Sequence, residues 1–191
     1  MNALKQSRYI GIVWLIARLW LGYEWLMAGI EKTFGEGSAV WVGDKAGVAV
    51  TGFLKGAIGK SALAPGFDPV KTPHPAVQTW YAELVQNVFL PNATLFSYLV
   101  AYGEVLVGLA LILGIFTHFS ALMGVLMNLA YLFAGTTSTN PQLLVVGLTI
   151  VLIGGTAVGY YGIDYFLRPI ETRLFSRVRT RISHTAPQPV A

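Results

Sequence analysis

Four apolar runs, at positions 10–30, 92–115, 119–135 and 142–162, hold three charged side chains between them: Arg18, Glu24 and Glu104. About 20 residues of helix cross the hydrocarbon of a bilayer, so runs of this length and purity read as membrane helices. Composition agrees. The 191 residues are 54% hydrophobic and 12% charged, whereas a soluble domain would carry roughly a quarter charged residues. The expected fold is an all-α integral membrane protein. It is read as one domain, a four-transmembrane-helix bundle with a long helical outer loop, 33–90, between the first two helices.

Pro91 and Pro141 stand just ahead of the second and fourth runs, where proline suits a helix start. Lys5 and Arg8 resemble the charged start of a cleaved signal. The run behind them is too long for one and contains Arg18 and Glu24, so it reads as a retained helix. Basic residues then set the orientation. Lys5 and Arg8 precede the first run, and Arg168, Arg173, Arg177, Arg179 and Arg181 lie in the tail 168–191. Both termini are therefore expected in the cytoplasm, with 33–90 on the outer side. Within that loop, the Gly-rich stretch 42–62 carries Lys45, Lys55 and Lys60 and suggests an interfacial helix. SALAPGFDPVKTPHP breaks the chain, and 77–90, with Trp80, Tyr81, Val85 and Phe89, suggests a second short one.

Several chemistries are excluded. The chain has no cysteine, which removes disulfides, thiol redox chemistry and iron–sulfur ligation. Of the three histidines, His74 falls in the outer loop, His118 at the inner boundary and His184 in the tail, so no pair can sandwich a haem. No dinucleotide fingerprint for a flavin or nicotinamide follows a strand, and no metal-ligand cluster is visible. Nucleic acid is not an expected partner. Any electron transfer would need a diffusible carrier such as quinone, or a partner subunit.

The intramembrane charges are the candidate functional residues, since ionisable groups in hydrocarbon cost at least a few kcal/mol each. Counting 1.5 Å per residue from the inner ends of the runs puts Arg18 about 12 Å deep, Glu104 about 16 Å and Asn128 about 15 Å. That level predicts an inward Arg18–Glu104 ion pair with Asn128 nearby. Small residues share their stripes: Gly11, Gly22 and Gly29 with Arg18; Ser97, Ala101 and Gly108 with Glu104; Ala121 and Gly124 with Asn128. Glu24 sits about 100–120° off the Arg18 stripe and nearer the outer surface. Lys32 stands at the outer mouth, with Tyr102 and Tyr131 at comparable levels. Arg18, Glu24 and Glu104 are thus the candidates for proton handling or catalysis. Lys32, Asn128, Tyr102 and Tyr131 are the candidates for substrate binding. The other reading of the same residues is a bundle glued by buried hydrogen bonds.

RLWLGYEWLMAGIEK (18–32), GEVLVGLALILGIFTHFSAL (103–122), NLAYLFAGTTSTNPQ (128–142) and the closing GIDYFL (162–167) resemble the DoxX/DoxD family. The last two are closer to its DoxD side. The resemblance implies a four-helix protein of the cell membrane linked to sulfur redox chemistry. It is similar to the membrane subunit of a thiosulfate:quinone oxidoreductase, which works with a small DoxA-like partner on the outer face. Quinone would be the diffusible electron acceptor, and a small anion such as thiosulfate the donor. The alternative is a non-catalytic scaffold subunit that docks a redox partner; self-association is left open.

Overall fold

The computed structural model describes residues 8–166. Lys5 and the basic tail 168–191 lie outside the described residues. Helix α1 runs Arg8–Phe34, past the expected end of the first run, so Glu31 and Lys32 belong to its last turn. The segment 33–90 folds into α2 (Ser38–Trp41), α3 (Val48–Gly59) and α4 (Thr79–Leu84), the last continuing as a π-helical turn over Val85–Phe89. Then come α5 (Ala93–Leu113), α6 (Thr117–Phe133), α7 (Asn140–Ile153) and a 3₁₀ turn at Gly155–Gly159. Apart from an isolated bridge between Ser61 and Val77, the described elements are helical.

Two helices, α1 and α5, are long and apolar enough to cross a membrane by length and composition; α6 and α7 are shorter apolar helices. One continuous helix over 142–162 was expected. The chain instead leaves the α-helix after Ile153, where the Gly154-Gly155 pair lets Gly155 take φ +50°.

Helices α1, α5, α6 and α7 pack around one apolar core. Leu21 and Trp25 come from α1, Val107 and Leu111 from α5, Ala121 from α6, and Leu143 and Ile150 from α7. The outward faces are apolar too. Ile12, Val13 and Ile16 on α1, Leu99 and Leu106 on α5, Phe119 and Leu126 on α6, and Val145 and Leu152 on α7 are all exposed. So much uncovered apolar surface marks a lipid-facing protein.

The tightest contact is α1 against α5, which run antiparallel. Glycines set its register. A Cβ on Gly29 would stand 2.5 Å from the Val105 nitrogen, and one on Gly22 would stand 3.0 Å from the Gly108 carbonyl oxygen. Backbones this close leave no room for side chains at the crossing.

The loop helices form a cap with its own core of Val50, Leu54, Ala57, Val77, Tyr81, Ala82 and Val85. It is pinned to one end of the long helices. The Tyr81 hydroxyl donates to the Ala130 carbonyl at 2.8 Å, and Lys60 Nζ to the Gly135 carbonyl at 3.0 Å. Ser97 Oγ donates to the Trp41 carbonyl at 2.5 Å.

Candidate functional site

Beneath the cap lies an ion pair whose carboxylate is buried. Lys32 projects from the last turn of α1, three residues beyond the Gly29 crossing. Helical side chains lean toward the N-terminus of their helix, so its stem reaches back down α1. There Nζ donates to the Ala28 carbonyl at 3.2 Å and meets Glu104 Oε2 of α5 at 2.7 Å. Glu104 is 2% exposed. Its other oxygen, Oε1, accepts the Tyr131 hydroxyl of α6 at 2.9 Å. Both carboxylate oxygens are therefore engaged, by two different helices. Phe53 of α3 meets the Tyr131 ring edge-on at 6.0 Å, and Trp25 lies tilted against it at 6.5 Å.

A second aromatic side chain of the cap stands over the lysine. The Trp41 ring stands 5.1 Å from Lys32 Nζ, within the range of a cation–π contact. The Lys32 side chain keeps 21% of its exposure against 3% for Glu104, so Lys32 is the open member of the pair.

Deeper in the core, two polar side chains lack hydrogen-bond partners. Asn128 is completely buried, and neither Nδ2 nor Oδ1 has a hydrogen-bond partner; the Trp25 indole N–H has none either. Trp25 Nε1 stands over Gly124, where a Cβ would come within 2.9 Å of it. Asn128 follows Gly124 by one helical turn and precedes Tyr131 by three residues, on one face of α6. Buried amides without partners cost about 1–3 kcal/mol each, which an oxygen-bearing guest would offset.

The expected Arg18–Glu104 pair does not form. Arg18, 1% exposed, turns to the opposite end of the core. Its guanidinium donates to the Tyr161 carbonyl at 2.8 Å and the Val158 carbonyl at 3.4 Å, close enough to Asp164 to feel its charge. The depth count failed because it measured from the ends of apolar runs. The glycine crossing sets relative height instead, placing Arg18 level with Gly114, about 15 Å along α5 from Glu104. Tyr102 is not brought to the site: it is 48% exposed on the outside of α5, stacked on Tyr98 at 6.2 Å. Two residues from Glu104 is about 200° around the helix. Glu24 is half-buried on the flank of α1 and forms no hydrogen bond or ion pair among the described residues.

Sequence reasoning missed Trp41, Trp25 and Asp164. Asp164 Oδ1 accepts the Phe116 N–H at 2.6 Å and Oδ2 the Thr117 N–H at 2.9 Å, capping the start of α6. A lone carboxylate just past the last apolar run was the available signal. Trp41, in a Gly-rich loop, carried none.

Among the described residues no group of three or more His, Asp or Glu side chains converges to hold a metal ion. The sequence model of the DoxX family matches residues 13–137. The chain belongs to the DoxX family. No curated protein and no solved structure matches it significantly. The DoxX match spans α1 through α6 with the cap between them, and so takes in Lys32, Trp41, Glu104, Asn128 and Tyr131. Together with the apolar outer faces, it makes this DoxX chain a membrane protein. Val158, Tyr161 and Asp164, which surround Arg18, fall beyond the matched segment.

Proposed function

We propose that this DoxX protein is the membrane subunit of a thiosulfate-type:quinone oxidoreductase. In this reading α1, α5, α6 and α7 all cross the membrane, both termini are cytoplasmic and the cap faces outward. One observation carries it: a lysine ammonium under Trp41 of the cap, against a carboxylate and a phenol buried at the cap end of the helices. A small dianion needs a cation, and Lys32 is the cation within that site. Two thiosulfates join through a new bond between their sulfane sulfurs, giving up one electron each. Quinone takes those two electrons and two protons to become quinol. In this reading Glu104 and Tyr131 handle protons, and the Trp25 N–H and Asn128 amide, which have no hydrogen-bond partner, would donate to a quinone oxygen. A small DoxA-like subunit would dock on the cap.

The scaffold reading rests on a different observation. Glu104 already neutralises Lys32, so a dianion finds no free charge until that pair opens. Protein purified alone and with a coexpressed partner, assayed with thiosulfate and a short-chain quinone analogue, separates the two. Quinone reduction that is lost in Lys32→Gln supports the enzyme. Absence of turnover in both preparations leaves the scaffold.

A further inference from the structure

Lys32 cannot meet an incoming anion without consequences for Glu104. The carboxylate is 2% exposed and has two charged or hydrogen-bonding neighbours, Lys32 from α1 and Tyr131 from α6. From the cap it is approached through the aromatic Trp41 over Lys32 and Phe53 beside Tyr131, neither of which titrates. Tyr81 of α4 acts on Tyr131 electrostatically but is a neutral phenol at physiological pH. The residues of α7 buried in the core, Leu143, Gly147 and Ile150, carry no charge, and Asn140 at its outer end is neutral. Glu104 has no second cation to turn to among the described residues.

We infer that anion binding at Lys32 is coupled to the uptake of one proton by Glu104. When the anion takes the ammonium, the carboxylate loses its counter-charge in a dry site. A buried carboxylate without a counter-charge neutralises instead of staying ionised. The Tyr131 hydroxyl donates one hydrogen bond and cannot replace a full charge. Protonated Glu104 then keeps that bond through Oε1, and Oε2 carries the proton. Lys32, released from the carboxylate, is free to face the opening under Trp41.

The inference rests on the anion reading of the site and sets its stoichiometry. Two anions bring in two protons, the number that reduction of one quinone consumes. No further acid is needed to balance the reaction.

Calorimetric titration of thiosulfate into the purified protein in lipid nanodiscs tests this, in phosphate and in Tris buffer at pH 6, 7 and 8. Phosphate and Tris differ in ionisation heat, so the difference between them counts protons. Thiosulfate stays a dianion across this range. The expected result is one proton taken up per anion and affinity falling about tenfold per pH unit, since one bound proton links them. Glu104→Gln, which keeps an acceptor for Tyr131, should bind with pH-independent affinity and no proton uptake. Should that variant not fold, the wild-type proton count still decides. Binding with no proton taken up and no pH dependence overturns the coupling but leaves the anion site standing. No binding at any pH removes the anion site and the coupling together.

Discussion

Two cations of α1, Arg18 and Lys32, lie fourteen residues, about 21 Å, apart and are held in opposite ways. Arg18 is surrounded by backbone. Carbonyls of Val158 and Tyr161 accept its guanidinium, and Gly114 and Gly162 lie against it so closely that neither could carry a side chain. Carbonyls do not titrate or move away, and a guanidinium does not lose its proton. Nearby, Asp164 accepts two backbone N–H groups at the start of α6, while its own N–H donates to the Gly114 carbonyl at 2.8 Å. The Arg18 knot thus ties α1, the α5–α6 turn and the chain after α7 into one closed joint. Lys32 is held by side chains. Its partners are a carboxylate that can take a proton, a neighbouring phenol and an indole belonging to the cap. The contrast separates a permanent joint from an exchangeable one. The chemistry of the partners tells the two apart.

The sharpest way to break this comparison is to remove the permanent joint. Arg18→Ala strands the Val158 and Tyr161 carbonyls. At about 1–3 kcal/mol for each stranded acceptor it should abolish most folded yield. Arg18→Lys should rescue little, since one ammonium cannot reproduce the planar fork of donors. Monodisperse yield by size-exclusion chromatography reads both; a well-folded Arg18→Ala protein would make Arg18 the exchangeable site instead.

Lys32→Gln should be milder. The stranded Glu104 can neutralise itself, so the protein should fold with a melting temperature a few degrees lower and lose thiosulfate binding. Adding Glu104→Gln should restore the melting temperature without restoring binding, because coupled neighbours are not additive. Recovery of binding in the double variant would show that the pair serves structure alone.

Asp164→Asn keeps the shape of the α6 cap but removes its charge. A loss of about 1–2 kcal/mol is expected, in the range of helix caps, with thiosulfate affinity unchanged. An altered affinity would mean that the two ends of the core communicate.

The smallest effect concerns the cap. Burial pushes the Tyr81 phenol up to about 12, above its ordinary 10.0. Since the folded state holds this proton more tightly, its contribution is complete below pH 10 and is lost as pH rises toward 12. Absorbance titration of wild type against Tyr81→Phe should show one phenol missing from the late part of the curve. If it is missing from the early part, the cap is looser than its contacts with Ala130 and Gly135 imply.

The amino-acid sequence by itself determined the apolar helices, the helical character of the loop and the identity of the charges worth attention. Period, length and composition are local properties, and a run of apolar residues is legible wherever it sits. Lys32, Glu104, Asn128 and Tyr131 all stood out as polar residues among apolar ones. Which of them meet was decided in three dimensions. Relative height came from the Gly22, Gly29 and Gly108 crossing, where two backbones approach closely, and not from the ends of the runs. A difference of about 15 Å in register moves a charge from one partner to another at the far end of the helix. Trp41 and Asp164 reach their places only through the cap and the chain after α7, so no spacing along the sequence pointed to Lys32 or to α6. A buried charge must find a partner; the nearest backbone and side chains, set by glycine packing, decide which partner it finds.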